Sequence, residues 1–387
     1  MTLQTGLDVL CSQNFAPLHG KTVGLVTHSA AVSANLRSAA ELFAAAPGVK
    51  LAVLFGPEHG FAGASQDLEG VLSADDPATG VPAHSLYGDT VESLKPTPEQ
   101  LGGLDLLVID LQDVGSRYYT FQATMLYCME VCAEIGLPVW VLDRPNPING
   151  TEIEGPTLTP GFESFVGVHP ICVRHGLTMG ELATLYQAEC VSRVKLTVVR
   201  CEGWSRPFAY SWWVPPSPNM PDLNTAIVYP GMCLVEGTNL SEGRGTTQPF
   251  EYVGFPGVDA AALVARLRSE RIEGVEFLPS YFRPTYQKHS GQTCGGFFLA
   301  VLDSRFRPVR TGLAVLCAFR EMLGDAFRWR TEPYEFVAHI PAIDLLFGSG
   351  RERRAIEAGV PWREIASAWE PEVAAFRERR KPYLLYE

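Results

Sequence analysis

The sequence predicts an α/β protein with a doubly wound parallel sheet, followed by a second, smaller α+β domain. Two observations indicate the sheet: short apolar runs without alternation recur in the first 150 residues, and helical patterns lie between them. Strands of this kind are buried on both faces of a parallel sheet, with helices covering each face. The pattern restarts near residue 258, so we place the domains at residues 1–255 and 256–387.

Four strands and two helices form the predicted beginning of the sheet. The apolar runs 22–27, 49–55, 104–111 and 138–142 are the strands, and 36–46 and 119–135 have helical spacing. The next part is irregular and rich in proline, at 144–161 and 212–229, with a helix at 178–189 and a strand at 194–199 between them. Long ordered loops of this kind usually carry function.

The second domain is predicted to be mostly helical. Its helices are expected at 260–270, 311–323, 343–347, 352–358 and 362–376, with one strand at 296–302. Helices and few strands in this order are typical of an α+β arrangement.

The net negative charge of the chain argues against a nucleic-acid partner. The 387 residues include 43 acidic and 31 basic side chains, for a net charge of −12. Nucleic-acid binding depends mainly on Lys and Arg neutralising phosphates, so we expect no nucleic-acid partner. No apolar run reaches the ~18 residues that span a bilayer. The first 20 residues lack a basic start followed by an apolar stretch, so we predict a cytoplasmic protein unless a leader was removed.

The sequence lacks the usual cofactor motifs. Its nine cysteines are spread without a CxxC pair, which fits reduced thiols. Cys128 and Cys132 lie four residues apart on a predicted helix, but no further metal ligands stand near them. No GxGxxG follows the first strand, and neither HExxH nor GxSxG occurs. We therefore predict no metal and no cofactor.

Polar residues follow each of the first four predicted strands at its carboxyl end. Ligands of open parallel sheets bind beyond these ends. The residues are His28, then Glu58 and His59, then Asp110 and Asp113, and finally Asp143, Arg144 and Asn146. The sequence therefore predicts a functional cleft at this rim of the sheet.

Glu58 is the most informative carboxyl group of this rim. Phe55, Pro57 and Phe61 stand around it, and apolar surroundings disfavour the charged form of a carboxyl group. A carboxyl group that keeps its proton can act as the general acid of glycosidic cleavage. The competing interpretation is a helix-capping or ion-paired glutamate, and His59 is equally consistent with a structural hydrogen bond.

Arg117 and Tyr118 follow the third strand. The guanidinium group matches a carboxylate in geometry, and tyrosine rings suit stacking on sugars. Packing at the start of a helix is the alternative for Tyr118. Asp110 is expected to bond either to backbone amides or to Arg117.

A polar, glycine-containing stretch at 236–247 is the second candidate binding region. Its glycines let a ligand approach the backbone closely, and its side chains can bond a polyhydroxylated ligand that carries a carboxylate. It lacks the Gly-Lys-Ser/Thr of a phosphate-binding loop. The candidates in this stretch are Asn239, Glu242, Arg244 and Thr246.

The motifs that carry these candidates resemble those of one bacterial family. They are GPEHGFAG (56–63), LQDVGSRYYTF (111–121), LDRPNPING (142–150), PSPNMP (216–221), YPGMCLVEGTNLSEGRGTTQPFE (229–251) and the closing RKPYLLYE. The family was long described only as a domain of unknown function and is now associated with exo-β-N-acetylmuramidases of peptidoglycan turnover. The resemblance extends over essentially the whole chain.

The resemblance implies a Rossmann-like domain, an auxiliary domain and an active cleft between them. It implies removal of terminal N-acetylmuramic acid from the non-reducing end of β-1,4-linked fragments, with Glu58 of the PEHG motif as the catalytic carboxylate. The polar residues of the other motifs correspond to Arg117, Tyr118, Asn219, Asn239, Glu242 and Arg244.

The prediction is therefore a glycoside hydrolase whose partner is a small carbohydrate. Glu58 protonates the leaving oxygen, Glu242 or Asp113 activates water or stabilises the oxocarbenium-like centre, and Arg117 or Arg244 pairs with the lactyl carboxylate of muramic acid. The acetamido group of the sugar is an alternative nucleophile. Two rival functions are a non-catalytic muropeptide-binding protein or sensor and a nucleotide-dependent enzyme. The predicted substrate-binding residues are His59, Arg117, Tyr118, Asn146, Asn219, Asn239, Arg244 and Thr246.

Overall fold

A seven-stranded sheet forms the first part of the molecule. The computed structural model describes residues 3–58, 60, 74–207 and 213–387. The strand order is β3-β4-β2-β1-β5-β6-β7, and only the pair β3–β4 is antiparallel. Six parallel strands with helices confirm the predicted α/β class. The strands are β1 (Thr22–Thr27), β2 (Lys50–Gly56), β3 (Ala74–Asp75), β4 (Pro82–Ser85), β5 (Leu106–Asp110), β6 (Val139–Leu142) and β7 (Leu196–Val199).

The strand order reverses at β1, which is where an open sheet of this kind binds its ligands. β1 pairs with β2 on one side and with β5 on the other, where Thr27 lies opposite Asp110. All five residues of β5 are buried, as its continuous apolar sequence predicts. The carboxyl ends of β1, β2 and β5 therefore meet at one rim, and the segments that follow these strands lie beside each other there.

Five helices accompany this sheet: α1 (Gly6–Ser12), α2 (Ala39–Ala44), α3 (Phe121–Ile135), α4 (Met179–Glu189) and α5 (Leu223–Met232). α5 corrects the prediction of an irregular segment at 212–229. Its N-cap is Asp222, whose side chain accepts from the Thr225 amide, and Pro230 lies near its C-terminal end. The prolines before Asp222 obscured a helix that this cap begins.

The second part contains a three-stranded antiparallel sheet in the order β8-β10-β9. β8 (Tyr252–Pro256) and β9 (Val275–Phe282) were not predicted, whereas β10 (Cys294–Val301) was. The predicted domain boundary after residue 255 falls inside β8. The helices are α6 (Ala260–Ser269), α7 (Pro308–Leu323), α8 (Ala342–Phe347), α9 (Arg351–Glu357), α10 (Trp362–Ser367) and α11 (Glu370–Arg380).

The single helix predicted at 362–376 is two helices, α10 and α11. Pro371 lies in the first turn of α11, where its missing amide hydrogen is tolerated. The same proline is incompatible with the interior of one long helix. Helical periodicity on both sides of the break made the two elements read as one.

One hydrophobic core runs through both parts. It includes Ile109 and Tyr186 from the first part and Phe297 and Phe319 from the second, all buried. Helices α5 and α7 cross closely at Gly231 and Gly312. A Cβ atom added to Gly312 would lie only 2.2 Å from the Gly231 carbonyl oxygen. Within the described ranges, no helix has both the length and the apolar character to cross a membrane.

Candidate active site

A cavity opens at the rim of the parallel sheet, and we call it the rim cavity. It is walled by segments that follow β2 and β5 and by segments of the second part of the chain. Polar and aromatic side chains therefore meet there from distant positions of the sequence. Its lining includes Glu58, Tyr118, Thr120, Asn219, Arg244 and Glu335, together with Tyr119, Ser217, Tyr229, Glu236 and Tyr334.

Glu58 lies two residues beyond the end of β2 and contributes its carboxyl group to this cavity. Its side chain is buried, at 6% exposure. The Thr120 hydroxyl donates a hydrogen bond of 2.5 Å to Glu58 Oε2. Because Thr120 is the residue just before α3, the helix start holds the carboxyl group of Glu58 in one orientation.

Arg244 brings the opposite charge to the same cavity. Its guanidinium donates to Glu236 Oε1 at 2.7 Å and lies over the Phe250 ring, 5.0 Å from the centroid. Tyr334 donates its hydroxyl to the second oxygen of Glu236 at 2.8 Å. Burial alone would raise the pKa of Glu236. The charge of Arg244 and the hydrogen bonds have the larger, opposite effect, so the pKa lies below its usual value. Glu236 is therefore held as a carboxylate that fixes Arg244.

Glu242 lies behind Arg244 and not in the wall of the rim cavity. Its carboxylate is 2.9 Å from Lys288 Nζ and 3.6 Å from Arg244 Nε, and its side chain is almost fully buried. This placement gives no support to the prediction that Glu242 activates water, because both oxygens face cations. Glu242 instead helps to position Arg244.

Asn219 of the PSPNMP motif lines the rim cavity. Its Oδ1 accepts a hydrogen bond of 2.9 Å from the Tyr286 hydroxyl. Tyr286 lies beyond β9, so the second part of the chain helps to orient this amide. Tyr118 also lines the cavity, but its hydroxyl donates to the Pro230 carbonyl and its ring acts as a wall.

Glu335 is a lining residue that the sequence reasoning missed. The Tyr87 hydroxyl donates to Glu335 Oε2 at 3.1 Å, and the backbone of Glu335 has a φ of +46°. A left-handed backbone at a non-glycine residue is uncommon and occurs at functional positions more often than elsewhere. No motif marks Glu335 in the sequence, and it comes near Glu58 only through the fold.

Arg117 does not line the rim cavity, so its placement gives no support to the prediction that it binds a substrate carboxylate. Its guanidinium is fully buried and donates to the carbonyl oxygens of Pro156, Ile171 and Leu346 at 2.8–3.0 Å. Burial lowers the pKa of Arg117 to about 10. The guanidinium of Arg117 thus bonds to backbone carbonyls of both parts of the chain and connects them.

Asp113 and Asn146 lie near the rim, where their side chains bond to backbone groups and stabilise the turns. Asp113 Oδ2 accepts from the Gly115 amide at 2.6 Å and lies 3.3 Å from His175 Nε2. Asn146 donates to the Leu177 carbonyl at 3.0 Å and accepts from the Ile148 amide at 3.1 Å. Neither lines the rim cavity, so the predicted catalytic role of Asp113 and the binding role of Asn146 find no support in their placement.

Asn239 and Thr246 also lie outside the rim cavity. The Asn239 amide group bonds to the backbone of Ala326 and Arg328 at 2.9 and 3.0 Å. Thr246 donates to the Gly243 carbonyl at 2.6 Å and so stabilises its own loop. His59 lies outside the described residues.

Two further charges of the rim, Asp110 and Arg144, neutralise each other. Asp110 binds Arg144 through two hydrogen bonds of 2.5 and 2.9 Å, and both side chains are buried. Asp110 is thus paired with Arg144 and not with Arg117. Within the described residues, no group of three or more His, Cys, Asp or Glu side chains is arranged to hold a metal ion.

Known proteins with the same sequence pattern and fold identify the family. Models of the N-terminal and C-terminal parts of the exo-β-N-acetylmuramidase NamZ match residues 23–224 and 227–386. The peptidoglycan β-N-acetylmuramidase NamZ of Bacillus subtilis (strain 168) is 43% identical over 99% of this chain and 91% of its own length.

Two solved structures have the same fold. Both are crystal structures of DUF1343 family proteins from Bacteroides fragilis NCTC 9343, and each alignment covers 100% of this chain and 99% of the other. The first has a TM-score of 0.90 at 34% identity, and the second a TM-score of 0.77 at 29% identity. The resemblance drawn from the motifs is confirmed, and the chain belongs to the exo-β-N-acetylmuramidase NamZ family.

Proposed function

We propose that this protein releases terminal N-acetylmuramic acid from the non-reducing end of β-1,4-linked peptidoglycan fragments. The family and the Bacillus subtilis relative support hydrolysis of an N-acetylmuramyl linkage. The observation that carries the finer proposal is the presence of Glu58 and Arg244 in the wall of one cavity. The first can donate a proton to the leaving oxygen, and the second can select a sugar that carries a carboxylate.

Glu58 is the proposed general acid. It lies at a strand end that faces the cavity, and the Thr120 hydroxyl orients its carboxyl group. A general acid must lie within hydrogen-bond reach of the oxygen that it protonates, so a fixed orientation favours this role. As its proton passes to the glycosidic oxygen, the C–O bond at the anomeric carbon breaks. A water molecule adds to that carbon, and the proton it loses returns to a carboxylate of the site.

Arg244 is the proposed ligand of the lactyl carboxylate. This group distinguishes N-acetylmuramic acid from N-acetylglucosamine, and a guanidinium matches it with paired hydrogen bonds. Glu236 and Glu242 hold Arg244 from two sides. Their contacts limit the rotamers of the guanidinium, so less conformational entropy is lost when the substrate binds.

Glu335 is the proposed second carboxylate. It lines the same cavity as Glu58, whereas Asp113 and Glu242 do not. Glu236 also lines the cavity, but both of its oxygens are bonded, to Arg244 and Tyr334. Glu335 either activates water or stabilises positive charge at the anomeric carbon. Participation of the substrate acetamido group is the alternative, and the anomeric configuration of the first product, followed by NMR, separates inversion from retention.

The Glu58→Gln variant tests the proposal. It keeps the shape of the side chain and removes the transferable proton, so release of aglycone from a chromogenic muramic acid glycoside should fall by roughly 100- to 10,000-fold. Thermal stabilisation by the free sugar should remain, because binding does not need the proton. The exposed Glu321→Gln variant is the matched control and should be unaffected.

Two outcomes would contradict this assignment. Turnover by Glu58→Gln close to that of the unmodified protein would exclude Glu58 as the acid. Stabilisation of the unmodified protein by the sugar, with no release from any muramic acid glycoside, would instead indicate a muropeptide-binding protein.

A further inference from the structure

A second, larger cavity lies beside the rim cavity, with a volume of about 910 Å³. We call it the basic groove. Its wall includes Phe255, Lys288, His289, Arg328, Trp329 and Arg330. None of these six residues lines the rim cavity.

The basic groove and the rim cavity share their walls. Glu236 lines the rim cavity, and Thr238 and Asn239, two and three residues further along, line the groove. Likewise Arg330 and Glu332 line the groove, and Tyr334 and Glu335 of the same segment line the rim cavity. Because the same two segments contribute to both walls, the groove and the rim cavity lie close together.

An ionic chain also connects the two cavities. Lys288 in the groove binds Glu242 at 2.9 Å, and Glu242 lies 3.6 Å from Arg244 in the rim cavity. The segment of Lys288 makes a further contact, since Tyr286 donates to Asn219 of the rim cavity. The groove is therefore anchored to the residues that are proposed to hold the terminal sugar.

The charge of the groove is predominantly positive. The lining contains Lys288, Arg328 and Arg330 as cations and Glu332 as a carboxylate, and Lys288 is paired with Glu242 outside the lining. The guanidinium of Arg328 is exposed and forms no hydrogen bond or ion pair with another residue of the described ranges. Trp329 and Phe255 add aromatic surface, and such rings bind the apolar faces of sugars.

We infer that the basic groove binds the carboxylate-bearing sugar that follows the leaving group, the next muramic acid of a longer glycan. This inference rests on the proposed function. In an alternating glycan the first sugar occupies the rim cavity, the leaving N-acetylglucosamine comes next, and the third sugar again carries a lactyl carboxylate. An exposed arginine beside aromatic rings is the chemistry that recognises such a sugar.

Two trisaccharides test the inference, because they differ only in the lactyl group of the third sugar. They are MurNAc-GlcNAc-MurNAc and MurNAc-GlcNAc-GlcNAc, with the disaccharide MurNAc-GlcNAc as reference. The unmodified protein should show a lower KM for the first than for the second. Arg328→Ala should raise the KM for the first by about three- to fivefold, which is the range of an exposed charge pair, and Arg328→Glu should raise it more.

Arg328→Lys should restore most of the difference, whereas Arg305→Ala, which removes an exposed arginine outside both cavities, should change nothing. The preference should weaken in high salt, because exposed charges are screened. Equal KM values for the two trisaccharides, or no effect of Arg328→Glu, would overturn the inference. Failure of the unmodified protein to cleave even the disaccharide would instead overturn the proposed function.

Discussion

Arg117 and Arg244 differ in what their guanidinium groups contact, although the sequence presents both as candidate carboxylate ligands. Arg117 donates to three backbone carbonyls, whereas Arg244 pairs with carboxylates at a cavity wall. Both side chains are buried, and neither the local sequence nor the residue type separates them. The three carbonyls that accept from Arg117 lie 39, 54 and 229 residues further along the chain, and only the fold brings them together.

Arg117→Lys should destabilise the fold without affecting the affinity for substrate. A lysine ammonium cannot reach carbonyls of three segments with the geometry of a guanidinium, and a buried carbonyl without its donor costs about 1–3 kcal/mol. We expect a loss of at least about 2 kcal/mol in the free energy of unfolding, measured in urea. Arg305→Ala should change it by less than about 0.5 kcal/mol. A raised KM with unchanged stability would show that Arg117 binds substrate.

Glu236→Gln should destabilise the protein in a pH-dependent way. The pKa of Glu236 is lower in the folded protein than in the unfolded chain, so its charge stabilises the fold above the unfolded value of about 4.3. This contribution is lost as the pH falls through the lower, folded-state pKa. The difference in unfolding free energy between the two proteins should therefore be largest above about pH 5 and shrink towards about pH 3.

Unfolding curves across this pH range check the prediction, with Glu321→Gln as the control. Glu321 is exposed and pairs with Arg266 at the surface, so its replacement should give a small difference at every pH. A constant difference for Glu236→Gln between neutral and acid pH would contradict the ionic role of Glu236.

At the scale of the elements, continuous apolar runs were reliable and proline-containing segments were not. β1, β2, β5, β6 and β7 lie where they were predicted. The apolar run is the clearest signal for β5, because a strand that is buried on both faces must be apolar along its length. β8 and β9 were missed, and β9 contains Pro279 and several exposed residues. The position of β9 depends on its pairing with β10, and this pairing cannot be predicted from the local sequence of β9.

The contact between α5 and α7 gives a prediction at this scale. Gly312→Ala places a Cβ atom 2.2 Å from the Gly231 carbonyl oxygen, so the helices must separate. Overpacking of this kind costs about 1–3 kcal/mol, and we expect a value near the upper end. Met322→Ala, at an exposed position of α7, is the control. Thermal unfolding measures both, and a Gly312→Ala variant as stable as the control would contradict the close crossing.

At the scale of the whole molecule, the rim cavity needs both parts of the chain. Glu58 could be predicted because it follows a strand of the sheet at the end where ligands bind. Glu335 and Tyr334 could not, since they reach the cavity through helices and loops of the second part. Sequence thus predicts the half of the site that the sheet presents, and the other half depends on how the two parts pack.

The C-terminal residues help to pack the second part of the chain against the first. The Tyr386→Phe variant tests how much they contribute to the free energy of unfolding. The Tyr386 hydroxyl donates to Asp143 at 2.5 Å and accepts from the Cys201 amide at 2.8 Å. Loss of these bonds should lower the unfolding free energy by about 1–3 kcal/mol while a single transition remains. Tyr281→Phe, at an exposed position, is the control. Unfolding in two separate steps would indicate parts that are stable independently.

The alternation of Glu236, Arg244, Glu242 and Lys288 has a consequence for redesign. The charges of the two carboxylates and the two cations cancel. Replacing Arg244 alone therefore leaves one buried carboxylate without a compensating positive charge. A variant meant to accept uncharged amino sugars therefore needs compensating changes, for example Arg244→Met together with Glu236→Gln. Selectivity and stability therefore depend on the same four side chains, and a single replacement among them should lower the free energy of unfolding as well as change the substrate range.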